Sequence, residues 1–118
     1  MEDRRAKPRL TVSLEAEWDS SSGSNHPARV TNLSMGGCYL DTVGEALRGE
    51  IVAFRVLLPD GDWLYVEGEV RHHTIGMGFG VQFNDLDEEQ GTKIELLLRL
   101  AREGGGAPKP ISADLVAD

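Results

Sequence analysis

Val52-Ala53-Phe54-Arg55-Val56-Leu57-Leu58-Pro59-Asp60-Gly61-Asp62-Trp63-Leu64-Tyr65-Val66-Glu67-Gly68-Glu69-Val70 is the stretch whose reading decides the fold class. Val52, Phe54, Val56 and Leu58 occupy alternate positions, as do Leu64, Val66, Gly68 and Val70. Successive side chains on an extended backbone point to opposite faces, so each run is a strand with one buried face. Between them, Pro59-Asp60-Gly61-Asp62 puts a proline-set φ beside an Asp-Gly pair, which is the chemistry of a tight turn. The expectation is an antiparallel hairpin, one arm from Gly49 to Leu58 and the other from Trp63 to Arg71.

The same alternation continues on both sides of the hairpin. Upstream, Leu10, Val12, Leu14, Ala16 and Trp18 alternate with Thr11, Ser13, Glu15 and Glu17, a strand followed by the polar loop Asp19-Ser20-Ser21-Ser22-Gly23-Ser24-Asn25. Ala28, Val30 and Asn32 continue as a second strand ending near Ser34-Met35-Gly36-Gly37, and Cys38 to Asp41 returns as a third. Downstream, Phe79, Val81 and Phe83 supply a sixth strand after Gly76-Met77-Gly78. Six short strands at near-regular spacing suggest a closed or nearly closed antiparallel β-barrel, and closure would remove the edges that invite aggregation. The fold class expected is therefore mainly β.

Beyond Phe83 the period changes. Asp87 to Gln90 has capping-box spacing, and Ile94, Leu97, Leu98 and Ala101 lie at i, i+3, i+4 and i+7, a single apolar helical stripe. Leu96 and Leu100 widen it. Gly104-Gly105-Gly106 ends the helix, which is expected to cover one opening of the barrel. The chain thus divides into a flexible basic arm over 1–9, a barrel with its C-terminal helix over 10–103, and a disordered tail over 104–118.

Length and composition narrow the function. At 118 residues and 40% hydrophobic, one folded domain is expected. Twelve basic against 20 acidic side chains leave a net charge of -8. A nucleic-acid or anionic-membrane binder ordinarily carries a basic surface, so both are disfavoured. No apolar run approaches the ~20 residues of a membrane-spanning helix, and Met1-Glu2-Asp3-Arg4-Arg5 lacks the apolar core of a signal peptide. With one cysteine no intrachain disulfide can form, and a cytoplasmic setting is expected.

Catalytic constellations are thin. Cys38 lies in an expected strand with no histidine close in sequence and reads as a small core residue. His72 and His73 are adjacent, so on a strand they face opposite ways and would not chelate one metal together. No CxxC pair is present, and no metal or cofactor is expected. Gly76, Gly78 and Gly80 imitate a phosphate-binding GxGxG, yet no helix follows them; glycines easing a bent barrel strand explain them better.

Two features remain. The first is Arg5-Ala6-Lys7-Pro8-Arg9, an arginine pair four apart preceded by Arg4. Residues 1–9 carry four basic and two acidic groups, a local +2 set against a body of -10, so the arm either suits a small anionic partner or is a solvated terminal segment that touches nothing, the plainer account from charge alone. A guanidinium can bond bidentately to phosphate or to guanine O6 and N7, and its face stacks on a base. The second feature is Asn32-Leu33-Ser34-Met35-Gly36-Gly37 at a strand end. Asn32 can donate and accept, Ser34 offers a hydroxyl, and the glycines permit positive φ and close approach to the backbone. An ordinary Asn/Ser-stabilised turn is the plainer account of that segment.

Together, an RxxxR arm (Arg5, Arg9), an extended strand and an [D/N]xSxxG turn (Asn32, Ser34, Gly37) resemble the PilZ domain family. The later Gly78-Phe79-Gly80-Val81-Gln82-Phe83 segment is also similar, and the resemblance covers roughly residues 4–103. It implies a six-stranded antiparallel barrel and a receptor for the bacterial second messenger cyclic di-GMP. By the same resemblance Arg5 and Arg9 would clamp the ligand, Asn32 would contact a guanine, and Ser34 would contact phosphate or base. Gly36 and Gly37 would make space for it. Asn32 stands where many members have Asp; its carbonyl keeps an acceptor for the guanine amino group. Arg4 adds a third guanidinium, which either helps offset the four charges of an intercalated ligand pair or stays solvated. Arg71 and His72 come near the same pocket without an assigned role.

The expected mechanism is a switch without chemistry: the ligand bridges arm and turn, orders the arm and changes the surface offered to a downstream protein. The chain would then be a monomer or weak homodimer. The competing expectation is a nucleotide-independent adaptor with the same barrel, using Leu96 and Leu100 as its contact surface. An enzyme is not expected, for want of a nucleophile–base constellation.

Overall fold

The computed structural model describes residues 9–103. Residues 1–8 of the basic arm, Arg4 and Arg5 among them, and the expected 104–118 tail lie outside the described residues. The elements run β1 (Leu10–Asp19), β2 (Asn25–Leu33), β3 (Gly37–Asp41), β4 (Ile51–Leu57), β5 (Trp63–Thr74), β6 (Gly78–Phe83) and α1 (Glu88–Glu103). The strands close into an antiparallel barrel in the order β1-β2-β3-β6-β5-β4, with β1 pairing β4 to complete the ring. The mainly β barrel and its C-terminal helix are as the alternation and the change of period predict.

Each strand buries the face its alternation marks. Val12, Ala16 and Trp18 of β1, Val52, Phe54 and Val56 of β4, and Leu64, Val66 and Val70 of β5 all join one core. Trp18 is fully buried at its centre, stacked on His26 at 4.5 Å and edge-on to Phe79 at 4.9 Å. A buried indole N–H needs an acceptor. Trp18 Nε1 donates to Thr42 Oγ1 at 3.1 Å, and that hydroxyl donates onward to Pro27 O at 2.9 Å. Thr42 begins the β3–β4 loop, which also drops Ala46 into the core and closes this end of the barrel. Nothing in the local pattern marks that loop as core.

Several strand boundaries differ from the sequence-based expectation, and β4 is shorter at both ends than the expected 49–58. β2 starts at Asn25 and contains Pro27; β3 pairs with β2 only from Arg29 onwards, so Pro27 sits where β2 has one neighbour and its missing N–H is tolerated. β5 continues past Arg71 to Thr74 through an irregularity between Val70 and His72. The extra residue there bends the strand and re-aims the side chains beyond it. Gly76-Met77-Gly78 forms a tight turn between β5 and β6, with Met77 N–H donating to Thr74 O at 3.0 Å.

The Pro59–Asp62 turn is closed by Leu58 N–H to Asp62 O (2.8 Å) and Gly61 N–H to Leu58 O (2.9 Å). The capping box is equally literal. Gln90 N–H donates to Asp87 Oδ1 at 2.7 Å, and Asp87 N–H donates to Gln90 Oε1 at 2.8 Å. Ile94, Leu97, Leu98 and Ala101 are the buried face of α1 and belong to the barrel's own core. The helix touches β1 and β5, the two neighbours of β4, and so lies against the barrel opening between them. Among the described residues no helix is long and apolar enough to cross a membrane.

Candidate functional site

The end of β2 carries the Asn32–Gly37 segment onto the rim of the barrel where β1 begins. Leu33 is buried, so Asn32 beside it faces outward, in register with Thr11 of β1 and Tyr39 of β3. Arg9 immediately precedes β1, and its Nη1 donates to Asn32 Oδ1. One residue from each of the two sequence motifs, 23 positions apart, is thereby joined at one point. In this state each satisfies the other.

Ser34 is buried at 4% exposure and turned into its own turn. Its Oγ accepts from Gly36 N–H (3.1 Å) and Gly37 N–H (3.2 Å), while its hydroxyl faces Gly37 O at 3.4 Å. Its backbone N–H also donates to Gly37 O, at 2.9 Å. Both lone pairs are occupied and only the longest contact uses the hydroxyl proton. The Ser-stabilised turn offered as the plainer account of this segment is therefore real, whatever else Ser34 does.

Gly37 does not use the left-handed region that the sequence allowed it. What it provides is room: a Cβ there would meet Val81 O at 2.2 Å, so β3 and β6 come together through the absent side chain. Gly36 O accepts from Phe83 N–H at 2.9 Å, tying the turn to the end of β6. The space made by Gly37 is filled by the protein's own backbone.

Arg71 and His72 do come to the same outer surface. Arg71 Nη1 donates to Gln82 Oε1, and Gln82 is the register partner of Gly37. His72 is the partner of Gly80, and Gly80 of Tyr39. The Tyr39 and His72 rings lie 6.0 Å apart and 26° from parallel. His73 turns the other way, opposite the buried Phe79, and its buried Nε2 has no partner among the described residues. Sequence reasoning missed Tyr39, Gly80 and Gln82 as members of this surface; register across three strands brings them there, and no local spacing records it.

The other chemistry-bearing groups lie elsewhere. Cys38 is inward and buried, and burial pushes its thiol up to about 12, with the Arg9 charge opposing slightly. A thiol so held is a poor nucleophile. No group of three or more His, Cys, Asp or Glu side chains able to hold a metal occurs among the described residues. A cavity of about 580 Å³ lies on the β1–β4–β5 side, lined by Glu17, Asp19, Glu67 and Asp85. Its one guanidinium, Arg55, is bound to Glu17 and packed 4.6 Å over the Trp63 ring. The Glu17 hydrogen bond raises the Arg55 pKa further. Four carboxylates make it a poor home for an anion, so the cationic rim at Arg9 and Arg71 is the better candidate.

Comparison with known proteins bears on the family and the fold. The family profile of the PilZ domain matches residues 3–100, a span that includes Arg4, Arg5 and Arg9. Among solved structures, the barrel is similar to the PilZ domain, with c-di-GMP, of YcgR from Escherichia coli. The TM-score is 0.70 at 16% identity, covering 86% of this chain and 94% of that one. It is similar to the PilZ domain of CeSA from a cellulose-synthesizing bacterium, with a TM-score of 0.63 at 19% identity, covering 80% and 98%. It is also similar to the K. pneumonia MrkH–c-di-GMP complex, with a TM-score of 0.74 at 16% identity; that match covers 86% of this chain and 54% of that one. At these identities the likeness is one of fold. A comparison of the sequence with curated proteins found no match.

Proposed function

The chain belongs to the PilZ domain family, and on that premise we propose that it is a receptor for cyclic di-GMP, the ligand named with two of its structural neighbours. The observation that carries the reading is the Arg9–Asn32 hydrogen bond, which joins both motifs on the barrel rim beside the Ser34–Gly37 turn. A guanine supplies the complement of that pair: O6 and N7 for the guanidinium fork, and an amino group for the Asn32 carbonyl. Ligand entry exchanges one internal hydrogen bond for bonds to the base, so little is left unsatisfied in either state. Ser34 keeps the turn in shape and has its hydroxyl proton to offer a phosphate.

Arg5 completes the clamp and Arg4 adds charge for a second, intercalated ligand. Held between these arginines and the turn, the ligand fixes the 1–9 segment across the rim and so alters the surface read by a downstream protein. No catalytic step is involved, no cofactor is required, nucleic acid is not the partner, and a cytoplasmic setting goes with this role. The protein acts as a monomer or weak homodimer.

Calorimetric titration with cyclic di-GMP, with GTP and cyclic AMP as controls, tests the reading. Selective binding at micromolar concentration or tighter is expected, with stoichiometry separating one ligand from a stacked pair. Arg5→Ala and Arg9→Ala should each weaken binding by about 10- to 100-fold, the range for losing charge-assisted bonds. Wild-type-like titration of both variants would contradict the clamp. Absence of selective binding by the wild-type protein would favour the adaptor reading, for which Leu96 at 42% exposure and Leu100 at 38% provide an apolar surface on α1.

A further inference from the structure

Glu17, Arg55 and Tyr65 are register partners across β1, β4 and β5, and so are Asp19, Ala53 and Glu67. Their neighbours Trp18, Phe54 and Val66 are core, so both rows lie on the outer face of the barrel. Ala53 is the smallest side chain in either row and leaves a notch between its larger neighbours. The Asn84–Leu86 segment and Gln90 of α1 stand beside it, and together they enclose the cavity of about 580 Å³. That volume is in the range of preformed pockets.

The walls are held by bonds within the chain. Gln90 Nε2 donates to Tyr65 O at 2.7 Å, and Asn84 N–H donates to Glu67 O at 2.9 Å. Arg55, bound to Glu17 and packed over Trp63, donates to the Tyr65 hydroxyl at 3.5 Å. A concave surface with walls so held loses little freedom when it is filled. Its flanks are apolar: Tyr65 is 59% exposed, and Ile51, two residues from Ala53 on the same face of β4, is 52% exposed. Its charge is negative. Arg55 offsets Glu17, while no cation pairs with Asp19, Glu67 or Asp85 among the described residues. The end of β6 serves this basin and the motif turn alike, since Phe83 N–H donates to Gly36 O and the adjacent Asn84 N–H to Glu67 O.

We propose that this basin is the docking surface for the downstream protein, and that it receives an extended segment carrying a lysine or arginine between two apolar side chains. The cation enters at Ala53 among Asp19, Glu67 and Asp85, and the apolar side chains meet Ile51 and Tyr65. On an extended segment, side chains at i, i+2 and i+4 share one face about 13 Å long, the span of Ile51, Ala53 and Arg55 with Tyr65 beside it. Complementary charge selects the partner and its register, and the exposed tyrosine and isoleucine supply apolar contact. As the output surface of a receptor the basin rests on the receptor reading above; as a home for a cation it is tested without nucleotide.

The probe is the peptide acetyl-Leu-Ser-Arg-Ser-Leu-amide, titrated into the full chain without cyclic di-GMP and followed by NMR. Saturable binding at millimolar concentration or tighter is expected, with the Ala53 methyl, Tyr65 ring and Gln90 side-chain amide resonances moving. The same peptide with glutamate in place of arginine should leave them still. Glu67→Gln combined with Asp85→Asn should weaken binding by about 3- to 30-fold. Glu95→Gln combined with Glu103→Gln makes the same change of charge at exposed α1 positions outside the basin and should stay within about twofold of wild type. Ala53→Leu fills the notch without changing charge and should abolish binding. Equal losses in the two charge-changed variants, undiminished binding to Ala53→Leu, or no binding to the wild type would overturn the proposal and leave the receptor reading untouched. So would movement of the same resonances in peptide-free Arg5→Ala or on raising the protein concentration, which would give the basin to the chain's own arm or to a second copy.

Discussion

Single residues of the motif turn have structural duties that can be measured apart from ligand. In Gly37→Ala the new methyl would be driven against the Val81 carbonyl, a backbone atom that cannot rotate away. Overpacking of this kind costs about 1–3 kcal/mol, so the melting temperature should fall by roughly 5–15 °C before any ligand is added. An unchanged melt would show that β3 and β6 separate easily here. Ser34→Ala removes the acceptor for Gly36 and Gly37 N–H. Leaving donors unsatisfied in a buried turn costs about 1–3 kcal/mol, and the variant should lose stability as well as ligand affinity. Loss of affinity at full stability would mean that Ser34 acts only on the ligand. The motif was legible in the sequence as a set of residue types; that Ser34 points into its own turn depends on the backbone path and was not.

At the scale of elements, the helix and the hairpin were the most legible parts, because capping boxes, turns and periodicity are relations between residues a few positions apart. Asp87→Ala breaks the reciprocal pair with Gln90 and should cost about 0.5–2 kcal/mol, seen as an earlier thermal transition with an unchanged folded-state spectrum. A melt identical to wild type would reduce the box to an incidental contact. β5 was legible only to Arg71. The irregularity after Val70 breaks the alternation that defines a strand in sequence, yet it is what turns His72 outward over Gly80 and His73 inward beside Phe79.

At the scale of the whole molecule, the closed barrel and α1 gather 21 buried hydrophobic residues among those described into one core, and Cys38 belongs to it. Burial raises its thiol from an ordinary value of 9.0 to about 12. The folded state therefore holds this proton more tightly than the unfolded chain. The contribution is complete below pH ~9 and is lost as pH rises from there towards 12. Stability should thus fall with alkaline pH, less steeply in Cys38→Ala than in wild type. At pH 8 a thiol reagent should label native protein slowly and denatured protein at once. Rapid labelling of the native protein would place Cys38 outside the core.

The sequence by itself determined which residues face in and out along the regular parts of the strands, where the chain turns, how the helix starts and which residue types the two motifs contain. All of these follow from the local geometry of extended and helical backbone. Only the tertiary structure decided that Arg9 meets Asn32, that the room left by Gly37 belongs to Val81, and that Tyr39, Gly80 and His72 fall into one row. Those relations depend on register between strands as distant in sequence as β3 and β6, and on the closing pair β1 and β4. Alternation says which face a side chain takes; closure of the whole ring sets which residue lies opposite it.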